Sequence, residues 1–182
     1  MTKQYGFLID MQNCYGCKTC SMACKSENMT PLGVLWRRVR ERCTDEPNTQ
    51  SFISMSCNHC DDPQCMKVCP AGTYTKRADG IVVQDHDRCI GCRMCIMACP
   101  WNAPVYDAQE GKTSKCNLCA ERLDEGLQPR CVESCPAGVL RFGDIEELRK
   151  EHTTQWTVLE KRYNLPDHNI SKPNIVIIAP RD

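Results

Sequence analysis

Sixteen of the 17 cysteines in this chain of 182 residues fall into four groups of four, and Cys43 is left over. Group one is Cys14, Cys17, Cys20 and Cys24, and group two is Cys57, Cys60, Cys65 and Cys69. Group three is Cys89, Cys92, Cys95 and Cys99, and group four is Cys116, Cys119, Cys131 and Cys135. Thiols this dense form disulfides, bind zinc or hold iron–sulfur clusters, and their spacing distinguishes the three.

The spacing favours iron–sulfur clusters. Groups one and three have the C-x2-C-x2-C-x3-C spacing of bacterial two-cluster ferredoxins, and Pro100 follows group three as in that motif. A disulfide scaffold fits badly, because the cysteine count is odd and the chain is long for such a fold. Zinc stays open as an alternative, since group four alone resembles a zinc ribbon. Gly16 and Gly91 precede the second cysteine of their groups, and we expect them to let the backbone approach an inorganic core closely.

The ferredoxin motif also predicts which cysteines act together. Three closely spaced thiolates hold one cluster, and the fourth cysteine of the group ligates the other cluster of the pair. Groups two and three are close in sequence and pair with each other, so groups one and four pair around them. The predicted ligands are set 1 (Cys14, Cys17, Cys20, Cys135), set 2 (Cys57, Cys60, Cys65, Cys99), set 3 (Cys89, Cys92, Cys95, Cys69) and set 4 (Cys116, Cys119, Cys131, Cys24).

Short strands are predicted to position these groups. Residues 73–76 and 81–84 flank an Asp79-Gly80 turn signal and indicate a hairpin between groups two and three. Residues 5–10 and 139–142 are predicted to pair as strands that close the outer unit. We therefore expect an α+β fold of two ferredoxin-like units, with an inner unit (53–105) inserted in an outer one (1–52 and 106–150).

Residues 151–182 are predicted to form a C-terminal helical segment and an extended tail. A capping-box-like start at Asp144 predicts a helix from Ile145 to about Glu151. Trp156, Leu159 and Tyr163 have the spacing of one face of a second short helix. The proline-containing tail from Leu165 onward either lies along a partner subunit or folds back on its own chain.

Charge and hydropathy exclude several functions. Lys plus Arg and Asp plus Glu both number 23. The basic stretch Leu35–Arg42 is better explained as an irregular strand, with basic side chains that face solvent, the clusters or a partner, than as a nucleic-acid site, and it is a candidate docking site for a partner subunit. The longest aliphatic run, Ile175–Ala179, is far too short to span a membrane. No secretion signal is recognisable, so we expect a cytoplasmic protein or one exported with a partner that carries a twin-arginine signal.

Residues beside the ligands have two interpretations each. His59 lies between two group-two cysteines and either donates to a cluster sulfur or satisfies local backbone. Cys43 is expected to be an ordinary buried or half-buried thiol. Six basic residues close to ligands either stabilise the more negative, reduced state or are ordinary surface residues: Lys18, Lys67, Arg88, Arg93, Lys115 and Arg130.

A row of four clusters with four thiolates each indicates electron transfer rather than catalysis, because no iron is left open for a substrate. The run CNHCDDPQC at 57–65, with the order and spacing of all four groups, resembles the iron–sulfur subunits of molybdenum oxidoreductases of the dimethyl sulfoxide reductase family. The stretches at 4–10 and 172–177 look most like the electron-transfer subunits of its anaerobic dimethyl sulfoxide reductases.

The resemblance implies four 4Fe–4S clusters, since relatives with a three-iron cluster lack a group-three cysteine and Cys92 is present here. It also implies a catalytic partner with a molybdenum bis-guanine-dinucleotide cofactor and, in many members, a quinol-linked membrane anchor. The chain is shorter at its C-terminus than anchored relatives, which weakens the expectation of an anchor. The alternatives are the same module in a hydrogenase or formate dehydrogenase complex and, from a different class, a zinc-bound structural module.

Overall fold

The computed structural model describes residues 3–43 and 50–180, and in them it places nine strands, seven helices and one 3-10 turn. The strands are β1 (Tyr5–Asp10), β2 (Arg38–Cys43), β3 (Gln50–Met55), β4 (Tyr74–Lys76), β5 (Val82–Gln84), β6 (Val105–Asp107), β7 (Lys112–Ser114), β8 (Leu140–Asp144) and β9 (Ile175–Ile178). The helices are α1 (Thr19–Glu27), α2 (Gln64–Lys67), α3 (Met94–Ala98), α4 (Ala120–Asp124), α5 (Arg130–Glu133), α6 (Ile145–Glu151) and α7 (Trp156–Arg162), and the 3-10 turn is His168–Ile170. These small sheets and short helices confirm the predicted α+β class.

A three-stranded sheet joins the two ends of the described chain. Its order is β8-β1-β9, and β1 is antiparallel to β8 with Leu8 opposite Arg141. The predicted pairing of the strands that flank groups one and four is therefore confirmed. Phe7, Ile9 and Leu140 extend from this sheet into the largest apolar cluster of the described residues.

The C-terminal segment folds back on its own chain. Strand β9 pairs parallel to β1, with Leu8 opposite Val176, and Val176 packs against Leu8, Ile145 and Leu148 with no exposed surface. The sequence left open whether the tail lies along a partner subunit or folds back on its own chain, and residues 175–178 fold back on their own chain. The sequence signal was a run of β-branched residues long enough for a buried strand.

Three two-stranded hairpins complete the strand structure. The hairpin β4–β5 confirms the prediction, with Tyr74 opposite Gln84 and the turn closed by the Arg77 N–H donating to the Ile81 carbonyl at 2.8 Å. The hairpin β2–β3 carries the basic stretch, with Arg40 opposite Ile53. The hairpin β6–β7 joins groups three and four and was not predicted.

The helices bring the third and fourth cysteines of each group together. In every group these two cysteines are four residues apart, and the third lies in a short helix: α1, α2, α3 or α5. Residues four apart lie on one face of a helix, so Cys20 and Cys24 are both on the buried face of α1. The fourth cysteine therefore projects from the next turn, as the crossover prediction requires.

The remaining predictions for the described residues concern α6 and α7. Helix α6 has the predicted bounds, and the Asp144 carboxylate caps it by accepting from the Glu146 N–H at 2.9 Å. Helix α7 buries Leu159, as its periodicity predicts. In the described part of the chain no helix is long and apolar enough to cross a membrane. The predicted burial of Cys43 concerns a side chain outside the described residues.

Replacement of Ile177 by alanine tests the contribution of β9. Ile177 is 1% exposed and lies opposite Ile9, so Ile177→Ala should cost about 2–5 kcal/mol. The apparent Tm in anaerobic thermal unfolding followed by circular dichroism should fall by roughly 5–15 °C. The control is Ile170→Ala, which changes a residue that is 50% exposed and should leave the Tm nearly unchanged. Equal Tm values for the two variants would contradict a core role for β9.

Candidate metal centres

The set 1 cysteines line one cavity. Its walls include Cys14, Cys17 and Cys20 from group one and Cys135 from group four. Pro136, Val139 and Val39 complete the lining around these cysteines. Burial raises the pKa of the Cys14 thiol, and the neighbouring Cys20, Cys135 and Cys17 raise it further. The cavity thus joins thiols from opposite ends of the cysteine-containing region.

The set 2 cysteines line a second cavity, together with His59 and Trp101. Burial, with a contribution from the neighbouring Cys57, raises the pKa of both Cys60 and Cys65 to about 12. Thiols with such pKa values stay protonated when no metal is bound. Metal binding at this site must therefore displace protons.

The set 4 cysteines are all buried. The pKa of Cys24 is raised well above its usual range by burial and then by the nearby Cys116, Cys131 and Cys119, the three other members of the set. Burial also raises the pKa of Cys116 to about 12. The side-chain amide of Asn28 donates to the Cys24 sulfur at 3.7 Å.

Two of the set 3 cysteines contact one threonine hydroxyl. The Oγ1 of Thr113 lies 3.4 Å from the sulfurs of both Cys89 and Cys95. Cys69 packs against the apolar cluster that contains Cys95. Cys92 is exposed on the loop between Cys89 and Cys95.

The four sets lie in a row in the order 1, 4, 2, 3. Sets 1 and 4 meet on helix α1, which carries Cys20 and Cys24 on one face. Sets 4 and 2 meet where Cys116 and Cys57 share a small apolar cluster, and sets 2 and 3 meet where Cys65 and Cys95 share another. The end sets each have an exposed ligand, Cys17 in set 1 and Cys92 in set 3, which the middle sets lack.

The ligand loops of groups one and three have the same backbone conformation. Gly16 and Gly91 have φ of 74° and 69°, and the residues two positions later, Lys18 and Arg93, have φ of 62° and 63°. Successive N–H groups in such left-handed turns form a concave site for an anion, and iron–sulfur clusters occupy sites of this kind.

The two glycines also approach neighbouring protein closely. A Cβ on Gly16 would lie 2.7 Å from the Phe52 ring, and a Cβ on Gly91 would collide with the Gly111 carbonyl. The close approach is therefore to neighbouring protein, in addition to the positive φ.

Backbone N–H groups donate to ligand sulfurs in three of the sets. The donors are Ala103 to Cys99 at 3.5 Å in set 2, Thr73 to Cys69 at 3.5 Å and Thr113 to Cys89 at 3.4 Å in set 3, and Leu118 to Cys116 at 3.3 Å in set 4. Such bonds stabilise a thiolate and contribute to the potential of a bound cluster.

Two cations are buried among the cysteines. Arg37 is 1% exposed and donates hydrogen bonds to Ser54 and Ser56. Burial acts to lower the pKa of Arg37, but the surrounding cysteines, first Cys131 and Cys116, raise this pKa above its usual value. Lys115 is 3% exposed, donates to the Val82 carbonyl at 2.5 Å and interacts electrostatically with set 2.

Of the six basic residues predicted to tune the clusters, Lys115 is buried, and the other five are exposed. Arg37 was missed because a stretch with four arginines in six residues resembles a solvated strand. The position of Arg37 in the sequence could have indicated its burial. Arg37 directly precedes β2, and the alternation of that strand places Arg38, Arg40 and Arg42 on the opposite face, around a surface cavity.

His59 satisfies local backbone, which is one of its two interpretations. Its Nδ1 accepts from the Val82 N–H at 3.0 Å, so the ring carries its proton on Nε2. That Nε2 is buried without a partner among the described residues, and the ring lines the set 2 cavity. Burial, followed by the charges of Lys115 and Lys76, lowers the pKa of His59 well below its usual range, which keeps the ring neutral.

These observations fit 4Fe–4S clusters. Two cavities are each lined by four thiols, hydrogen-bond donors point at the sulfurs, and an unpartnered donor lines one cavity. The sixteen described cysteines are all free thiols.

Comparison with known proteins agrees with this chemistry. Residues 48–145 match the model of the 4Fe–4S dicluster domain. The chain is 49% identical to YnfG of Escherichia coli K12, a probable anaerobic dimethyl sulfoxide reductase chain, and 48% identical to a chain of the anaerobic dimethyl sulfoxide reductase of the same organism. Each match covers 97% of this chain and 89% of the relative.

A more distant relative is a subunit of the tetrathionate reductase of Salmonella typhimurium, which is 40% identical over 79% of this chain and 59% of the relative. Identity near one half over almost the full length, together with the matching domain model, confirms the family predicted from the cysteine pattern. The chain belongs to the iron–sulfur, electron-transfer subunits of the dimethyl sulfoxide reductase family.

Proposed function

We propose that this chain relays single electrons through four 4Fe–4S clusters, to or from a molybdenum-containing catalytic subunit of an anaerobic reductase that resembles dimethyl sulfoxide reductase. When bound, each cluster supplies reversible one-electron transfer. The single observation that carries the proposal is the row of cysteine sets, which is buried in its middle and has an exposed ligand at each end.

The row suits conduction through the chain. Neighbouring sets share a helix or an apolar cluster, so little protein separates one site from the next. The exposed ligands Cys17 and Cys92 put the two end sites near the surface, where electrons enter and leave. The interior sets are shielded from water, which limits the reorganisation that accompanies a change of charge.

The ligand assignment is sets 1 to 4, with each fourth cysteine crossing to the other site of its pair. The cavities around sets 1 and 2 and the mutual influence of the set 4 thiols support it. With it goes the division into an outer unit (1–52 and 106–150), an inner unit (53–105) and a C-terminal segment (151–182). Four thiolates at each site leave no iron position for a substrate, so the chain itself is not catalytic.

The arginine face of β2 is the proposed contact for the catalytic subunit. Arg38, Arg40 and Arg42 line one surface cavity. Burial lowers the pKa of Arg38 and Arg42, and the neighbouring charge of Arg40 lowers both pKa values further. None of the three forms an ion pair within the described residues. Pro100, Trp101 and Asn102 line the same cavity, so this face lies beside set 2, which contains Cys99.

The set 3 end has a different character. Ile90 and Met97 beside Cys92 are 67% and 80% exposed. An apolar surface at a site of electron entry suits a second protein partner. A quinol-linked membrane anchor, as the resemblance implies, is the partner that we propose there.

Metal analysis and one ligand variant test the assignment. Protein purified anaerobically should contain iron and acid-labile sulfide at about 16 each per chain. The substitution Cys24→Ser should change the electron paramagnetic resonance signal that Cys119→Ser also changes, because both cysteines belong to set 4. It should leave unaltered the signal that Cys17→Ser changes.

The matched control is Cys43→Ser, which removes the cysteine outside every group and should leave all signals intact. If Cys24→Ser instead alters the same signal as Cys17→Ser, the crossover assignment is wrong. Colourless protein with stoichiometric zinc would eliminate the electron-transfer function.

Charge reversal tests the docking face. The pair Arg40→Glu and Arg42→Glu should reduce co-purification of the catalytic subunit at least tenfold at low salt, and raising the ionic strength should weaken the wild-type complex as well. Lys150→Glu on α6 is the control, since it reverses an exposed charge away from this face. Unchanged co-purification by the arginine variants, with clusters intact, would place the contact elsewhere.

A further inference from the structure

Two buried serines contact the sulfurs of cysteines in sets 1 and 2. The Oγ of Ser54 lies 3.2 Å from the sulfur of Cys20, and the free thiol of Cys60 donates to the Oγ of Ser171 at 3.4 Å. Both serines are 1% exposed. They come from unrelated parts of the chain, strand β3 and the segment before β9, so the similarity is not a result of the ferredoxin repeat.

Each serine also accepts a hydrogen bond from a group that can only donate. Arg37 donates from one guanidinium nitrogen to the Ser54 Oγ at 3.1 Å and to the Ser54 carbonyl at 3.0 Å. The Trp101 indole N–H donates to the Ser171 Oγ at 2.9 Å. Arginine and tryptophan have no acceptor on these groups, so the serine proton cannot be directed at them.

The serine proton is therefore directed at the sulfur. A hydroxyl has one proton, and a thiolate ligand offers only acceptor capacity. We propose that Ser54 and Ser171 donate O–H···S hydrogen bonds to Cys20 and Cys60, and that Arg37 and Trp101 are positioning residues that fix the direction of these bonds. The inference rests on the proposed function, because it requires thiolates that ligate clusters.

Fixed donors to sulfur change the redox balance of a site. Reduction adds negative charge, part of which lies on the thiolate sulfurs, so a hydrogen bond to sulfur stabilises the reduced state more than the oxidised state. The two serines should therefore raise the midpoint potentials of the sites held by sets 1 and 2. The effect of Trp101 passes through Ser171 alone because the indole is neutral, whereas Arg37 also acts directly through its charge.

The test is redox titration of the anaerobically purified complex, followed by electron paramagnetic resonance. Signals are assigned to sets 1 and 2 beforehand from the ligand variants Cys17→Ser and Cys57→Ser. Ser171→Ala should shift the set 2 midpoint to lower potential by about 59 mV, which is a tenfold change in the ratio of reduced to oxidised sites. Ser54→Ala should do the same for set 1, and each variant is the control for the other site.

The double variant Trp101→Phe with Ser171→Ala distinguishes a role of Trp101 in positioning the Ser171 hydroxyl from a role of Trp101 in packing. Trp101→Phe keeps an aromatic ring in place but removes the indole donor, so the Ser171 hydroxyl is free to rotate and the set 2 potential should fall by less than in Ser171→Ala. In a Ser171→Ala background, Trp101→Phe should add no further shift. A packing effect of Trp101 would be additive instead.

Pulsed electron paramagnetic resonance in D2O gives a second measurement. The wild-type complex should show exchangeable deuterons coupled to the reduced set 2 site, and Ser171→Ala should lose one of these couplings while those from the His59 ring and the Ala103 N–H remain. Intact signals with no shift and no loss of a deuteron coupling would overturn the inference while leaving the electron-transfer function in place. Absence of iron–sulfur signals from wild-type protein would overturn both.

Discussion

Bonding between thiolate and iron is the interaction on which the rest of this structure depends. Eight of the sixteen described cysteines are buried, and burial raises the pKa of several of them, so metal-free thiols bring neither charge nor much apolar area to the interior. Two of the four apolar clusters, around Cys65 and Cys57, are small and built on cysteines. Among the described residues, the largest apolar cluster includes side chains of the sheet β8-β1-β9.

The polar residues around the cysteines follow from the same constraint. Four thiolates outweigh the positive charge of an oxidised 4Fe–4S core, so each site is net negative in a region with little water. Buried cations are tolerated there, which explains Arg37 and Lys115, and the His59 ring, whose Nε2 has no partner among the described residues, lines the set 2 cavity. The residues that shape the potentials are thus the ones that make burial of the sites possible.

The cysteine spacing predicted the chemistry, because local chain geometry alone fixes how closely spaced thiolates surround a cluster. The Asp79-Gly80 turn signal predicted the hairpin β4–β5, and the strand-like flanks of groups one and four predicted the pairing of β1 with β8. The strand β9 and the contacts of Ser171 and Trp101 were beyond sequence reasoning, since they depend on segments about 70 or more residues apart meeting in space. The burial of Arg37 was not predicted for a related reason, because the composition of the sequence around a buried arginine does not differ from that around an exposed one.

The most direct test of this account is the far-ultraviolet circular dichroism of iron-free protein, compared with the anaerobically purified protein and followed through thermal unfolding. If the thiolate–iron bonds hold the interior together, the iron-free chain should lack the native spectrum and a cooperative transition, and both should return on reconstitution with iron and sulfide. A native-like spectrum with cooperative unfolding in protein free of iron and zinc would contradict the account.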